Sequence, residues 1–272
     1  MERPLIYAHR GASLELPENT LHAFELALSL GADALELDAH MTADGFVVVS
    51  HDESGMRMAG LPTPIRRTRL REVLRWDVGW GFVDGHGRRP YSGKGYSMPT
   101  LAEVIAAFPG VVLNVDAKQE SPSMMRAMLE VIAAGAAEHR VRVASFSSRN
   151  LREALRLGWT GKLGMAERDV ARLYFAPDAL LSRSTIAADA AQIPLSAGPL
   201  RLATQGFVDK AHRHGVRVDF WTVNDVETAR ALAGIGADGI MTDDPRTVAP
   251  AVRALGDEIR EGPQRRGHVG GH

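Results

Sequence analysis

Short apolar runs of strand character alternate with amphipathic helical stretches along the chain, and this alternation limits the fold more than any other feature. The strand candidates are Leu5–His9, Ala34–Ala39, Val111–Ala117, Arg142–Phe146, Lys162–Ala166, Ala179–Ile186, Val216–Val223 and Gly239–Thr242. Between them lie helical segments such as Leu21–Leu30, Leu101–Phe108, Ser123–Ala137, Leu151–Leu157 and Thr204–His214. Repeated strand–helix units imply a parallel sheet covered by helices, because parallel neighbours need a crossover connection. Eight strands in roughly 250 residues predict an α/β fold of the (β/α)8 TIM-barrel type, with a doubly wound open sheet as the competing architecture.

Phe46–Ser50 breaks the alternation. It follows Ala34–Ala39 after only a few residues that include an Asp44-Gly45 turn signal, too short a link for a parallel crossover, so the pair is expected to form an antiparallel hairpin arm. The arm returns His51 toward its partner strand. Residues from about 53 to 98 show little periodicity and are rich in glycine and aromatic residues, which predicts an insertion or lid over the site. Regular structure resumes at Thr100, where Thr100 and Glu103 form a capping-box signature. The expected organisation is one barrel domain over residues 1–250 that includes the insertion, then a flexible polar tail over 256–272.

Composition narrows the function classes. The 272 residues are 45% hydrophobic and carry a formal net charge of -1, with Arg interleaved among Asp and Glu. Nucleic-acid binding by counterion release needs a concentrated basic surface, so no nucleic-acid partner is expected. The absence of cysteine excludes disulfides and thiolate metal sites. No run approaches the ~20 apolar residues of a membrane span and the N-terminus lacks a signal-peptide pattern, so the expected location is cytoplasmic. Composition leaves the oligomeric state open.

In a (β/α)8 barrel the chemistry lies where strands run into the βα loops. His9 and Arg10 close the first strand; Glu36 and Asp38 lie two apart near the end of the second and so point to one side. Asp116 and Lys118 repeat that spacing, and Trp221 and Asn224, then Thr242 and Asp243, end later strands. Each alone has a plain structural reading: a surface histidine, an Asp116–Lys118 ion pair, a core tryptophan. Two inward carboxylates on one strand, however, are costly unless something cationic neutralises them. Oxygen-only ligation by Glu36, Asp38 and Asp116 favours Mg2+ or Ca2+, with Mn2+ a further option, over Zn2+. A divalent ion beside Arg10 and Lys118 suits the nonbridging oxygens of a phosphate, and His9 and His51 suit the two proton transfers of phosphodiester cleavage.

The stretches "AHRGASLELPENTLHAFELAL", "GADALELDAHMTADGFVVVSHD", "MPTLAEV", "LNVDAK", "ASFS", "VDFWTVND" and "GADGIMTDDP" run in order over residues 8–245. Together they resemble the glycerophosphodiester phosphodiesterase family. The resemblance implies a (β/α)8 barrel with an insertion after the HD pair, acting on a small-molecule glycerophosphodiester to give sn-glycerol 3-phosphate and an alcohol. It implies His9 and His51 as the general acid–base pair, Arg10 and Lys118 as phosphate contacts, Trp221 as part of the glycerol-side wall, and Glu36 and Asp38 as metal ligands. Asp116 stands where the family usually has Glu, which keeps the charge but shortens the arm by one methylene.

Two other classes compete. A sugar-phosphate isomerase or aldolase accounts for "GADGIMTDDP" but leaves the Glu36/Asp38 pair and both histidines unexplained, and Lys118 beside Asp116 stays protonated. A non-catalytic barrel that only binds phosphodiesters is the second. Within the favoured class, the insertion aromatics Trp76, Trp80, Phe82, Tyr91 and Tyr96 offer either an acyl-chain or choline site or a closed cluster.

Overall fold

The computed structural model describes residues 3–261 apart from residues 122, 184 and 185. The strands are β1 (Leu5–His9), β2 (Ala34–Met41), β3 (Val47–Val49), β4 (Val112–Ala117), β5 (Val141–Ala144), β6 (Lys162–Leu163), β7 (Ala190–Pro194), β8 (Ser196–Ala197), β9 (Leu200–Arg201), β10 (Arg217–Trp221) and β11 (Gly239–Thr242). Helices α1 (Leu21–Ser29), α4 (Leu101–Ala107), α5 (Met125–Ala134), α6 (Ser148–Arg156), α7 (Glu167–Phe175), α9 (Gln205–Arg213), α10 (Val226–Gly234) and α11 (Pro245–Glu261) follow successive strands. Three shorter ones are α2 (Met56–Ala59), α3 (Leu70–Val73) and α8 (Asp178–Leu181).

Parallel pairing runs in the order β6-β5-β4-β2-β1-β11-β10-β7. The two ends meet: Gly164 bridges Ala190 in parallel, Asp189 N donates to Leu163 O and Met165 N to Ala190 O, both at 2.8 Å. That nearly closed ring decides between the two architectures in favour of the (β/α)8 barrel. Strand β3 lies off the ring and pairs antiparallel with the far end of β2, Ala39 opposite Val49 and Met41 opposite Val47.

One strand expectation was wrong. Ala179–Leu181, the start of the expected sixth barrel strand at 179–186, lie in helix α8, residues 184 and 185 lie outside the described residues, and the strand is β7 at Ala190–Pro194. Helix α11 continues to Glu261, past the start of the expected tail; residues 262–272 of that tail lie outside the described residues. No helix among the described residues is long and apolar enough to cross a membrane.

Strand alternation sorts the side chains. Leu35, Leu37 and Ala39 of β2 and Leu113, Val115 and Ala117 of β4 face the helices in one continuous apolar core. Their neighbours Glu36, Asp38, Asn114 and Asp116 therefore face the barrel axis. The interior below the site is polar. Arg142 on β5 donates across the barrel to Tyr7 Oη (3.0 Å), Asp219 Oδ2 (3.1 Å) and Asp189 Oδ2 (3.0 Å). Gln192 Nε2 on β7 donates to Asn114 Oδ1 on β4 (2.8 Å). Burial pushes the Asp219 carboxyl up, with Arg142 and Arg217 opposing it. A guanidinium that serves three acceptors meets the condition under which a charge is tolerated in a core.

The insertion carries its own core of Met58, Ile65, Val73, Trp76, Val78 and Met98, seated on Val48 of β3. The Thr100 capping box opens α4: Glu103 N donates to Thr100 Oγ1 at 3.2 Å and Thr100 N to Glu103 Oε2 at 2.7 Å.

Candidate active site

Strand register stacks the polar groups in tiers. His9 on β1 is level with Glu36 on β2, and Glu36 with Asn114 on β4. One tier nearer the C-terminal ends, Asp38 is level with Asp116. Chain direction then sets the loop groups. Arg10 takes a left-handed conformation (φ 60°), and its N–H donates to Glu36 O at 3.0 Å, which turns the side chain over Asp38. Gly11 follows at φ 87° and approaches the backbone of Ala23 so closely that only glycine fits. His51 follows β3, and its carbonyl accepts from His40 Nε2 at 3.2 Å.

All eight residues singled out in the sequence, His9, Arg10, Glu36, Asp38, His51, Asp116, Lys118 and Trp221, line one cavity of about 510 Å³. Asp38 sits at its centre: Lys118 Nζ lies 2.9 Å from Oδ1, Arg10 Nε 3.1 Å from Oδ2, and Asn19 Nδ2 donates to Oδ2 at 3.1 Å. Lys118 Nζ also lies 2.6 Å from Asp116 Oδ2. Burial works to raise the Asp38 carboxyl, but Lys118 and Arg10 outweigh it and hold it down to about 2. Glu36 Oε2 lies 3.9 Å from His9 Nε2; burial first, then the Asp38 charge, push Glu36 up to about 8 against the weaker pull of His9 and Lys118. Burial raises Asp116 as well, against the pull of Lys118.

Each imidazole is held through Nδ1 by a carboxylate that the sequence reading did not assign. His9 Nδ1–H donates to Asp243 Oδ1 at 2.7 Å, and His51 Nδ1–H donates to Asp52 Oδ1 at 2.9 Å. Ser13 Oγ and Asn224 Nδ2 each donate to Asp243 at 3.0 Å. Burial presses the His9 pKa down, yet the bond to Asp243 and that carboxylate's charge leave it raised. Arg57 of the insertion joins the second pair to the first loop: its Nε donates to Asp52 Oδ2 at 2.6 Å, and both terminal nitrogens donate to Glu18 at 2.7 Å. Glu18 in turn lies 3.3 Å from Arg10. The position of Asp243 at a strand end was the available signal for it; Arg57 and Glu18 carry none, because their meeting depends on how the insertion docks.

The carboxylates suit a divalent cation in one specific respect. Glu36 Oε2 and Asp116 Oδ1 are buried with no hydrogen-bond partner, the condition of oxygens that await a cation. Among the described residues no three His, Cys, Asp or Glu side chains are placed so that they could hold a metal ion as they stand, and the Lys118 ammonium is interposed between Asp38 and Asp116. The donors thus form an open set.

The insertion aromatics do not reach this cavity. Trp76 is in the insertion core, Trp80 lies 3.8 Å under the Arg89 guanidinium, and Phe82, Tyr91, Tyr96 and His22 pack in series at centroid spacings of 5.0, 5.1 and 4.9 Å. Tyr91 Oη donates to Glu15 O at 2.8 Å. They close the insertion against the β1–α1 loop rather than offer an acyl or choline site. Trp221 does form cavity wall, edge-on to Phe146 at 5.9 Å.

The sequence pattern of the Glycerophosphoryl diester phosphodiesterase family matches residues 9–247. A glycerophosphodiester phosphodiesterase of Caldanaerobacter subterraneus is 30% identical over 259 residues, 93% of this chain and 100% of the relative. The crystal structure of a putative glycerophosphoryl diester phosphodiesterase from Silicibacter pomeroyi superposes with a TM-score of 0.77 at 26% identity, covering 94% of this chain and 95% of that one. An Oleispira antarctica phosphodiesterase in complex with the product sn-glycerol-3-phosphate superposes at 0.76 with 25% identity, over 92% and 97% of the two chains. The chain belongs to the glycerophosphoryl diester phosphodiesterase family, whose members are phosphoric diester hydrolases.

Proposed function

We propose that this protein hydrolyses small-molecule glycerophosphodiesters to sn-glycerol 3-phosphate and an alcohol, in a reaction that depends on a divalent cation. The observation that carries this reading is the pair of His–Asp contacts, His9–Asp243 and His51–Asp52, on one cavity that also holds Arg10, Lys118 and three buried carboxylates. With Nδ1 of each ring committed as a donor to its carboxylate, Nε2 is the nitrogen available for proton transfer. One imidazole takes the proton of the attacking oxygen and the other gives a proton to the departing alkoxide.

Arg10 and Lys118 bind the nonbridging phosphoryl oxygens, and their charges face the negative charge that grows in the transition state. Glu36, Asp38 and Asp116 would hold Mg2+, Ca2+ or Mn2+, which when bound supplies further neutralisation of the phosphoryl group. Asp38 and Asp116 keep Lys118 protonated: burial opposes the ammonium charge, and the two carboxylates outweigh burial and raise its pKa. Trp221 is the wall against which the substrate's carbon skeleton rests.

The test is release of sn-glycerol 3-phosphate from glycerophosphocholine, glycerophosphoethanolamine and glycerophosphoglycerol after chelation and after add-back of each cation. Product is expected only with a cation, and His51→Ala is expected to lower turnover about 10²–10⁴-fold while the fold is retained. No product from any of the diesters with any cation would refute the proposal.

A further inference from the structure

Strand β4 ends at Ala117, and Lys118 is the residue at which the chain leaves the barrel. On the β2 side the ladder holds one step further, because Lys118 N donates to Ala39 O at 3.1 Å. On the β5 side it stops at Asp116 opposite Ala144. The carbonyls of Ala117 and Gln119, which flank Lys118, therefore have no β5 partner, although both residues are buried. A buried carbonyl left without a donor is costly.

One side chain answers for both. Asn150, the third residue of α6 and 1% exposed, donates through Nδ2 to Ala117 O at 3.0 Å and to Gln119 O at 3.3 Å. Carbonyl oxygens only accept, so the orientation of the amide is fixed. Ser145 Oγ adds a second donor to Ala117 O at 2.7 Å and itself accepts from Asn150 Nδ2 at 3.1 Å. The main chain is thus held immediately before and immediately after Lys118. Gln119 Oε1 also accepts from Met41 N at 3.3 Å, which ties the same turn to the hairpin arm.

Helix packing does not explain this choice of residue. The other buried residues of α6 are Leu151 and Ala154, and a leucine at position 150 would suit both that face and the helix better than asparagine does. What asparagine supplies is two N–H donors aimed at the Lys118 turn. Lysine reaches its target on a flexible four-carbon stem, so the place of Nζ is defined only if its own Cα is. Nζ lies between Asp38 and Asp116 and has to swing to a phosphoryl oxygen when a diester enters. We propose that Asn150 is a positioning residue for this reaction: it holds the main chain of Lys118 still, so that the side chain alone moves between the carboxylates and the phosphoryl group. The assignment rests on the diester-hydrolase reading of the cavity.

Asn150→Leu keeps the branched shape of the side chain and removes the donors. In the folded variant, kcat/KM for glycerophosphocholine is expected to fall about tenfold. The same substitution made in Lys118→Met is expected to change kcat/KM by less than about twofold, because the residue through which it acts is gone. A ligand-free readout accompanies the cycle. The chain has four lysines, so in chelated, 15N-lysine-labelled protein the Lys118 ammonium signal is identified by its loss in Lys118→Met. That ammonium is expected to exchange faster with water in Asn150→Leu. Lys210, whose Nζ donates to Tyr174 O at 2.9 Å and Ala176 O at 2.6 Å, is expected to stay as in the wild type. Asn150→Ser, which keeps one donor on a shorter arm, is read in the same way where the leucine variant does not fold. A loss of about tenfold that persists in Lys118→Met, or equal acceleration at Lys118 and Lys210, would show a general loosening and overturn the proposal. A folded variant within about twofold of the wild type would overturn it too. A wild-type protein that hydrolyses no diester refutes the functional reading instead, and the ammonium signals still decide whether Asn150 holds Lys118.

Discussion

Replacement of Asp243 by Asn tests the His9 assignment more sharply than removal of His9 does, because the hydrogen-bond network dictates what the new amide must do. Asn224 cannot rotate freely: its Oδ1 accepts from Asp243 N at 2.9 Å and from Thr242 Oγ1 at 3.1 Å. Its Nδ2 must therefore donate to the far oxygen of residue 243, as it does to Asp243 Oδ2 at 3.0 Å. An asparagine there has to place its own oxygen toward Asn224 and its NH2 toward His9. Two donors then face each other across 2.7 Å unless the His9 proton moves from Nδ1 to Nε2. That shift leaves the wrong tautomer toward the substrate, so kcat/KM should fall about 10²–10⁴-fold. The charge that supports a raised His9 pKa is lost at the same time, so the His9 limb of the pH–rate profile should move to lower pH. The assay is sn-glycerol 3-phosphate release from glycerophosphocholine between about pH 5 and 9, with 15N NMR of the imidazole to report the tautomer. A kcat/KM within about threefold of the wild type and an unchanged tautomer would refute the reasoning.

Glu36→Gln should change how stability depends on pH. In chelated protein the Glu36 carboxyl stays protonated up to about 8, whereas its ordinary value is 4.5. The folded state thus holds a proton that the unfolded chain has released, and stability falls as pH rises through that window by up to about 1.4 kcal/mol per pH unit. Melting temperatures of chelated wild type and Glu36→Gln near pH 5 and pH 8 should diverge, with the variant flatter and its cation titration weakened; parallel curves would remove Glu36 from the ligand set. Arg57→Met breaks the strap between Glu18 and Asp52 and should lower kcat about tenfold with little change in KM, while Arg57→Lys should not restore it, because a single ammonium cannot bridge both carboxylates as the fork does. Equal effects on kcat and KM would show a role in binding instead. Gly11→Ala puts a Cβ 2.7 Å from the Ala23 backbone at a φ of 87°, which should cost about 2 kcal/mol or more in denaturant unfolding; a neutral result would show that the β1–α1 loop gives way.

Legibility in the sequence followed the range of the forces involved. Wherever side-chain alternation carried the information, the sequence sufficed: "LELD" and "LNVD" read directly as strands with leucine or valine outward and acid inward, and Leu113, Val115, Glu36 and Asp116 occupy those faces. The Asp44-Gly45 turn specified the antiparallel return because a short link admits nothing else. The sixth barrel strand failed because its run, "AAQIP", is short, contains Gln192 and ends at Pro194, so it carries little β signal. The apolar run upstream, which drew the expectation, is instead entered through helix α8. Pairings between distant residues were beyond reach. Arg57 meets Glu18 across 39 positions, and His9 meets Asp243 across 234. The second of these follows once β1 and β11 are known to be neighbours in the ring, but the first follows only from the way the insertion packs.

The same logic explains why a cation is expected at this site when the donors do not form a closed cage. Within the inner cluster, Asp38 and Asp116 are balanced by Arg10 and Lys118, and Glu36, pushed up to about 8, is largely neutral near pH 7. The resting cluster therefore carries no excess charge, which is what a buried site requires. A phosphodiester monoanion upsets that balance by one negative charge, and it must also draw Arg10 and Lys118 away from the carboxylates that now hold them. A divalent ion entering with it would let Glu36 ionise: three carboxylates and one phosphodiester then face two fixed cations and a double positive charge, and the cluster is neutral again. On this reading Glu36 is the group that would make the exchange work, since its proton would leave as a cation entered. Cation uptake should accordingly release close to one proton near pH 7, measurable as a buffer-dependent heat in calorimetry, and Glu36→Gln should abolish that proton release along with tight binding.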